Sequence, residues 1–295
     1  MINEKQDSLS KLFEGTRANL TADCTSCFGL CCVALPFSAS IDFSIDKPAG
    51  EPCTNLRSDF RCGVHKELRE IGYRGCTVYD CLGAGQKVSQ FTYAGQDWRH
   101  HPSSAKQMYE VFPIMWQLHE LLWYLSEAIT RSSAFPILED LKLSLQETLD
   151  LTDLSPQELL ELDVSSHQAN VNLLLLRTSE LVRDEARHKH KGIGKQPKVE
   201  GRGLDLIGKN LKGADLRCAN LRGAYLIAVN LRGANLQVAD FIGADLRDAD
   251  LRGADLSSSL FLTQAQLNSA KGDHTTRIPD SLVRPEHWND HGKHK

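Results

Sequence analysis

Leucine returns every five residues through the C-terminal third of the chain: Leu206, Leu211, Leu216, Leu221, Leu226, Leu231 and Leu236, then Phe241, Leu246, Leu251, Leu256 and Phe261. A small residue stands two places before almost every one, as at Ala214, Ala219, Ala224, Val229, Ala234 and Ser259. The slot immediately before each is mostly Asp or Asn. Five residues are about 1.4 helical turns, so an α-helix would spread these leucines around its whole circumference. A single strand would send successive leucines to opposite faces. One buried side results if each five-residue unit is one face of a square coil and four units close a turn. Rungs are then expected about 4.8 Å apart, and each rung touches only its neighbours.

Residues twenty apart stack on one face of such a coil. Phe241 should lie over Phe261. Lys212, Arg232 and Arg252 should form a vertical basic ladder, followed by corner glycines Gly213, Gly233 and Gly253. The ladder reads either as an anion- or partner-binding stripe or as a charged face that keeps the coil soluble. Asp215, Asp240, Asp245, Asp248, Asp250 and Asp255 in the same region favour the second reading.

Over about 203–261 the pattern resembles the pentapeptide-repeat proteins, whose unit is A(D/N)LXX. The resemblance implies a right-handed quadrilateral β-helix of about three coils. Some members of that family are acidic DNA mimics that bind type II topoisomerases. The mixed charge of this stretch argues against that role here. The whole chain is formally −4, with no basic excess to suggest nucleic acid.

Eight of the nine cysteines fall between residues 24 and 81: Cys24, Cys27, Cys31, Cys32, Cys53, Cys62, Cys76 and Cys81. The stretch CTSCFGLCC carries a Cys-x2-Cys pair, the spacing that lets two thiolates reach one metal from a tight turn. CGVH sets Cys62 and His65 at Cys-x2-His spacing. Three readings stand open: structural zinc in one or two sites, an iron–sulfur cluster, and disulfides or buried thiols. The chain opens without an apolar leader and nothing in it is long enough to span a membrane, which predicts the cytoplasm, where thiols stay reduced and clustered cysteines favour metal. Over about 24–81 the pattern resembles zinc- or iron-chelating cysteine-cluster domains, although three residues separate Cys27 from Cys31 where those domains carry two. The resemblance implies that the eight cysteines act together and does not choose the metal; His65 joins the candidate ligands by its spacing from Cys62. His100 and His101 are further candidates, against a plainer role at a polar helix entry. GAGQ lacks the length and the GK[ST] ending of a nucleotide loop, so its glycines read as turns.

Between the two regions, apolar residues recur three or four apart in SSAKQMYEVFPIMWQLHELLWYLSEAITR, with Pro113 predicted to interrupt the helix. His119 reads as a packed or surface histidine. SPQELLELD offers a helix start at Ser155. The expected organisation is multi-domain: a flexible N-terminus over 1–20, a cysteine-rich metal-binding module over 21–100, a helical bundle over 103–190, a linker over 191–202, the β-helix over 203–270, and a C-terminal cap and tail over 271–295.

With no phosphate cradle and no nucleophilic triad, the function expected is non-enzymatic protein binding or scaffolding, responsive to metal or redox state. The alternatives are an iron–sulfur or thiol redox protein, and an enzyme with its site between the cysteine module and the helices. A protein partner is expected, a homodimer is open, and neither nucleic acid nor membrane is indicated.

Overall fold

A computed structural model describes residues 19–189 and 203–289. The predicted N-terminal segment (apart from its last two residues), the 191–202 linker and the end of the tail lie outside the described residues. The chain divides into two compact units, residues 1–176 and 177–295.

The first unit is organised by one long helix. Short helices α1 (Leu30–Val33), α2 (Arg74–Val78) and α3 (Ala84–Gln86) precede it, and a π-helical stretch, Lys87–Thr92, follows α3 directly. The long helix α4 (Pro102–Ala128) starts with proline at its first position, where the missing N–H costs nothing. Pro113 lies inside α4 rather than ending it. An interior proline costs about 3 kcal/mol. Met108, Val111, Phe112, Met115 and Leu118, on both sides of it, are fully buried, and their burial holds the helix through the proline.

Helices α5 (Leu138–Thr152) and α6 (Pro156–Glu161) pack against α4. Ser155 and Glu158 form a reciprocal capping box at the start of α6, with Pro156 inside it. Helix α7 (Val164–Lys189) ends in Arg187, His188 and Lys189, which suits the negative end of its dipole. Leu30, Val33, Ala84, Val88, Tyr93 and Trp98 share one core with the apolar face of α4. The cysteine-bearing segment is thus built onto α4 and takes its core from there.

The second unit corrects the expected fold class. Among the described residues no β-strand forms, so the right-handed quadrilateral β-helix, and the solenoid of stacked strands it implied, are not what the leucine register builds. It builds isolated parallel bridges, each one residue wide, such as Asn210↔Asn230, Asn230↔Asp250, Asn220↔Asp240 and Asn235↔Asp255. The physical reason is the length of the unit. Two of every five residues are spent in a turn, and the second turn residue has positive φ, as at Gly213 (67°), Gly233 (64°) and Val238 (59°). The extended run between turns is too short to make a strand. At Val238 the branched side chain makes that conformation strained, at a cost of about 1–2 kcal/mol.

Pairs of hydrogen bonds hold each bridge: Leu211 N–H to Asn230 O at 2.8 Å and Asn230 N–H to Lys209 O at 2.9 Å are typical. Leu216, Leu221, Leu226, Leu231, Leu236, Phe241, Leu246, Leu251, Leu256 and Phe261 are buried, with Leu211 half-buried. Inside this unit Arg222 and Asp240 form a buried ion pair at 3.1 Å. Helix α8 (Gln264–Ser269) has Thr263 and Gln266 as its capping box. Gln266 Nε2 also donates to Phe241 O at 2.8 Å and Ala244 O at 2.9 Å, closing off that end of the leucine column. Trp288 follows, donating from Nε1 to Ala270 O at 3.0 Å.

Leu231 is completely buried. Leu231→Asp places an unpaired charge there and is expected to destabilise the second unit by at least about 3 kcal/mol, read as a lowered or lost thermal transition. An unchanged melt would contradict the register.

Candidate thiol site

Residues 21–28 carry Cys24 and Cys27; residues 81–98 carry Cys81. Side-chain amides and hydroxyls sew the two segments together. Gln86 bonds both ways, Asp23 N–H donating to its Oε1 at 3.0 Å and its Nε2 donating to Thr21 O at 2.7 Å. Phe28 N–H donates to Ser89 Oγ at 3.0 Å, and Ser89 Oγ–H donates to Gly85 O at 2.8 Å. Gln90 Nε2 reaches Ser26 O at 2.8 Å, and Trp98 Nε1 reaches Phe28 O at 2.9 Å. Phe28, Phe60, Trp98 and Tyr109 continue the joint as a chain of ring contacts, with centroids 5.4, 5.6 and 5.8 Å apart in turn.

This joint brings Cys27 and Cys81 to Gly85. A Cβ on Gly85 would lie 2.7 Å from Cys27 Sγ and 3.7 Å from Cys81 Sγ. Both sulfurs therefore converge on the space that glycine leaves open. Burial pushes the Cys27 thiol up, partly offset by hydrogen bonds from the Leu30 and Gly29 backbone and the Ser89 hydroxyl. Burial also pushes Cys81 up to about 11, against hydrogen bonds from the Gly85 and Gly83 backbone.

Cys31 and Cys32 sit side by side on α1 with sulfurs 3.9 Å apart. Cys32 is held below the usual thiol range by the hydrogen bond from Cys31 and by the charge of Lys47. Cys31 moves up, because it supplies that hydrogen bond and is deeply buried. Lys47 is buried, and its Nζ donates to Val33 O at 3.1 Å, Pro48 O at 2.9 Å and Glu51 O at 2.9 Å. Cys53 N–H donates to Cys32 O at 2.9 Å, fixing a third thiol nearby. Cys76 is pushed up to about 12 by burial, with further upward pushes from Cys32, Cys53 and Cys62. Lys47 and Gly85 carry no motif that marks them in the sequence. Only the fold shows what they do.

His119 supports the site from α4. Its ring is buried, and Nδ1 donates to Leu82 O at 2.7 Å, next to Cys81. Burial depresses its pKa to about 4.

The metal reading of this segment is corrected. Among the described residues no group of three or more His, Cys, Asp or Glu side chains is placed to hold a metal ion. The resemblance to zinc- or iron-chelating cysteine-cluster domains therefore does not carry over as a metal-binding module. His65 is exposed at the surface. His100 is exposed and pairs with Asp97 at 2.7 Å, and His101 Nδ1 contacts Asp97 O at 3.2 Å. Cys27, Cys31 and Cys81 pack against the apolar core that the cysteine-bearing segment shares with α4. Every cysteine among them is a free thiol.

In the second unit Lys212, Arg232 and Arg252 are all exposed. Arg252 grips Asp250 through Nε (2.8 Å) and Nη2 (2.5 Å), and Arg232 approaches the same carboxylate at 3.8 Å. Asp250 thus neutralises much of the stripe. Cys218 is buried at a positive-φ corner, and its carbonyl accepts from Arg187 Nη2 at 3.0 Å and Arg183 Nη1 at 3.4 Å.

Comparison with known proteins places the chain. It is 60% identical over 277 residues to the Bacillus subtilis (strain 168) protein YybG, covering 94% of this chain and 98% of that one. This chain belongs to the YybG family. A family model of pentapeptide repeats, in eight copies, matches only residues 202–233 and 219–257. The earlier identification with pentapeptide-repeat proteins is corrected accordingly: the match is confined to a minor part of the chain, and the described residues there form bridges without strands. A crystal structure of a pentapeptide repeat protein from the Arabidopsis thaliana thylakoid lumen is 29% identical over 32% of this chain and 68% of that one. Its TM-score is 0.16.

Two outcomes follow from the electrostatics. Cys32 is expected to react first with iodoacetamide at neutral pH, and Lys47→Gln to slow that reaction several-fold by removing the charge that favours the thiolate. Uniform labelling of all eight thiols would contradict this. His119 binds its proton at about 4 when folded and near 6.5 when unfolded, so the unfolded chain binds protons more readily between those values. The stability His119 gives at neutral pH, on the order of 3 kcal/mol, is lost as pH falls from 6.5 toward 4. Thermal melts across that range should show the decline, and His119→Gln should flatten it.

Proposed function

We propose that this protein is a non-enzymatic protein-binding or scaffold protein of the cytoplasm, with a redox-responsive thiol site in its first unit. The observation that carries the reading is the convergence of thiols on a folded core: Cys27 and Cys81 at Gly85, and Cys31 beside Cys32. Among the described residues no helix is long and apolar enough to cross a membrane, which is compatible with the compartment proposed. Thiols kept free on a rigid frame change that frame when oxidised, and such a change can be transmitted to a partner. The bridged repeat supports the binding half of the reading. Its backbone is tied at every rung, so outward side chains such as those of Ile207 (52% exposed) and Tyr225 (51% exposed) project from a fixed backbone. A pre-ordered surface loses little conformational freedom on binding.

The test is affinity capture with immobilised full-length protein, reduced in one arm and treated with hydrogen peroxide in the other. The reading predicts a discrete partner that one redox state retains and the other releases. Identical retention in both states, or none in either, would contradict it.

A further inference from the structure

Of the eight thiols between residues 24 and 81, two that lie more than fifty residues apart border one space. Cys27 and Cys81 lie on the two segments that Gln86, Ser89, Gln90 and Trp98 sew together. Their sulfurs border the same space beside Gly85, where a Cβ would stand 2.7 Å from Cys27 Sγ and 3.7 Å from Cys81 Sγ. Contacts that short are essentially never made by real Cβ atoms, so a side chain at 85 would push the Cys27 sulfur from its place. Both thiols are half-buried, within reach of a small oxidant. Cys31 and Cys32 are closer in sequence, but they are consecutive residues of α1, and a bond between them would distort that helix.

Resting on the redox reading above, we infer that Cys27 and Cys81 are the pair that a hydroperoxide oxidises to a disulfide. One sulfur attacks the peroxide, the O–O bond breaks, and one oxygen leaves as water or alcohol while the other stays as S–OH. The second sulfur then displaces that oxygen. The S–S bond forms, the S–O bond breaks, and water leaves. Two electrons pass from the sulfurs to the peroxide, and both thiol protons end on the departing oxygens. The bond adds a covalent staple to a joint that already exists. Little rearrangement is required, and the staple restricts the unfolded chain across the long loop it closes. Burial of both thiols keeps their thiolate fraction low, so the bond forms slowly and stoichiometrically, after any faster oxidation at Cys32, whose neighbour Cys31 cannot bond to it without distorting α1.

The experiment is a disulfide map of the tag-free full-length protein after hydrogen peroxide treatment and blocking of remaining thiols. Chymotryptic cleavage after Phe28 and Leu30 parts Cys27 from Cys31, and cleavage after Tyr79 parts Cys81 from Cys76. Tandem fragmentation then separates Cys24 from Cys27. The expected result is a dominant Cys27–Cys81 linked peptide, absent in Cys81→Ser, retained in Cys53→Ser and reduced in Gly85→Ala. A dominant link between other cysteines would overturn this inference and leave the redox reading standing. All nine thiols left unmodified after treatment would overturn both. The wild-type map decides the matter even if a variant fails to fold.

Discussion

The arrangement depends on the joint between residues 21–28 and 81–98 laid over α4. Polar side chains do the aligning. Gln86, Ser89 and Gln90 satisfy backbone groups of the facing segment that would otherwise be left unpaired. Apolar side chains do the holding: Leu30, Val33, Ala84, Val88 and Trp98 share their core with Met108, Phe112 and Met115. Neither half suffices alone. A short, cysteine-rich segment buries too little surface to fold unaided, and a polar seam without burial behind it competes with water on nearly equal terms. With both in place, Cys27 and Cys81, from distant parts of the chain, border the same space beside Gly85.

The second unit solves a different problem with the same economy of means. A five-residue repeat leaves no room for strands, so order comes from single bridges repeated at a constant register. Each bridge is weak, and their number and the buried leucine column make the unit cohesive. Positive φ at non-glycine corners such as Val238 shows that cohesion overriding local preference. Several charged side chains on its exterior pair within it: Asp215 with Arg217, Asp245 with Arg247, and Asp250 with both Arg232 and Arg252.

The leucine register was legible in the sequence because a period of five admits so few ways of burying one side. The secondary structure inside the unit was not, because leucine spacing says which residue faces inward and nothing about how many residues a turn consumes. Helix α4 was legible from its apolar spacing. Its continuity through Pro113 was not, because burial of Phe112 and Met115 on either side is a tertiary effect. The cysteine spacing pointed to metal, since Cys-x2-Cys is what metal sites use. Distance along the chain did not show that the thiols would be spread around an apolar core. Lys47 and His119 were invisible as site residues for the same reason: each acts through a carbonyl or a charge that the fold, and not the local sequence, brings near.

The central claim is that packing on α4 holds the thiol site together. Near-ultraviolet circular dichroism of the reduced full-length protein before and after exhaustive dialysis against a strong chelator tests it most directly, because Trp98 and Trp116 lie in and beside the joint. The account predicts an unchanged aromatic signal and an unchanged cooperative melt of the first unit. Loss of the signal on chelation, restored by adding back zinc or iron, would contradict it.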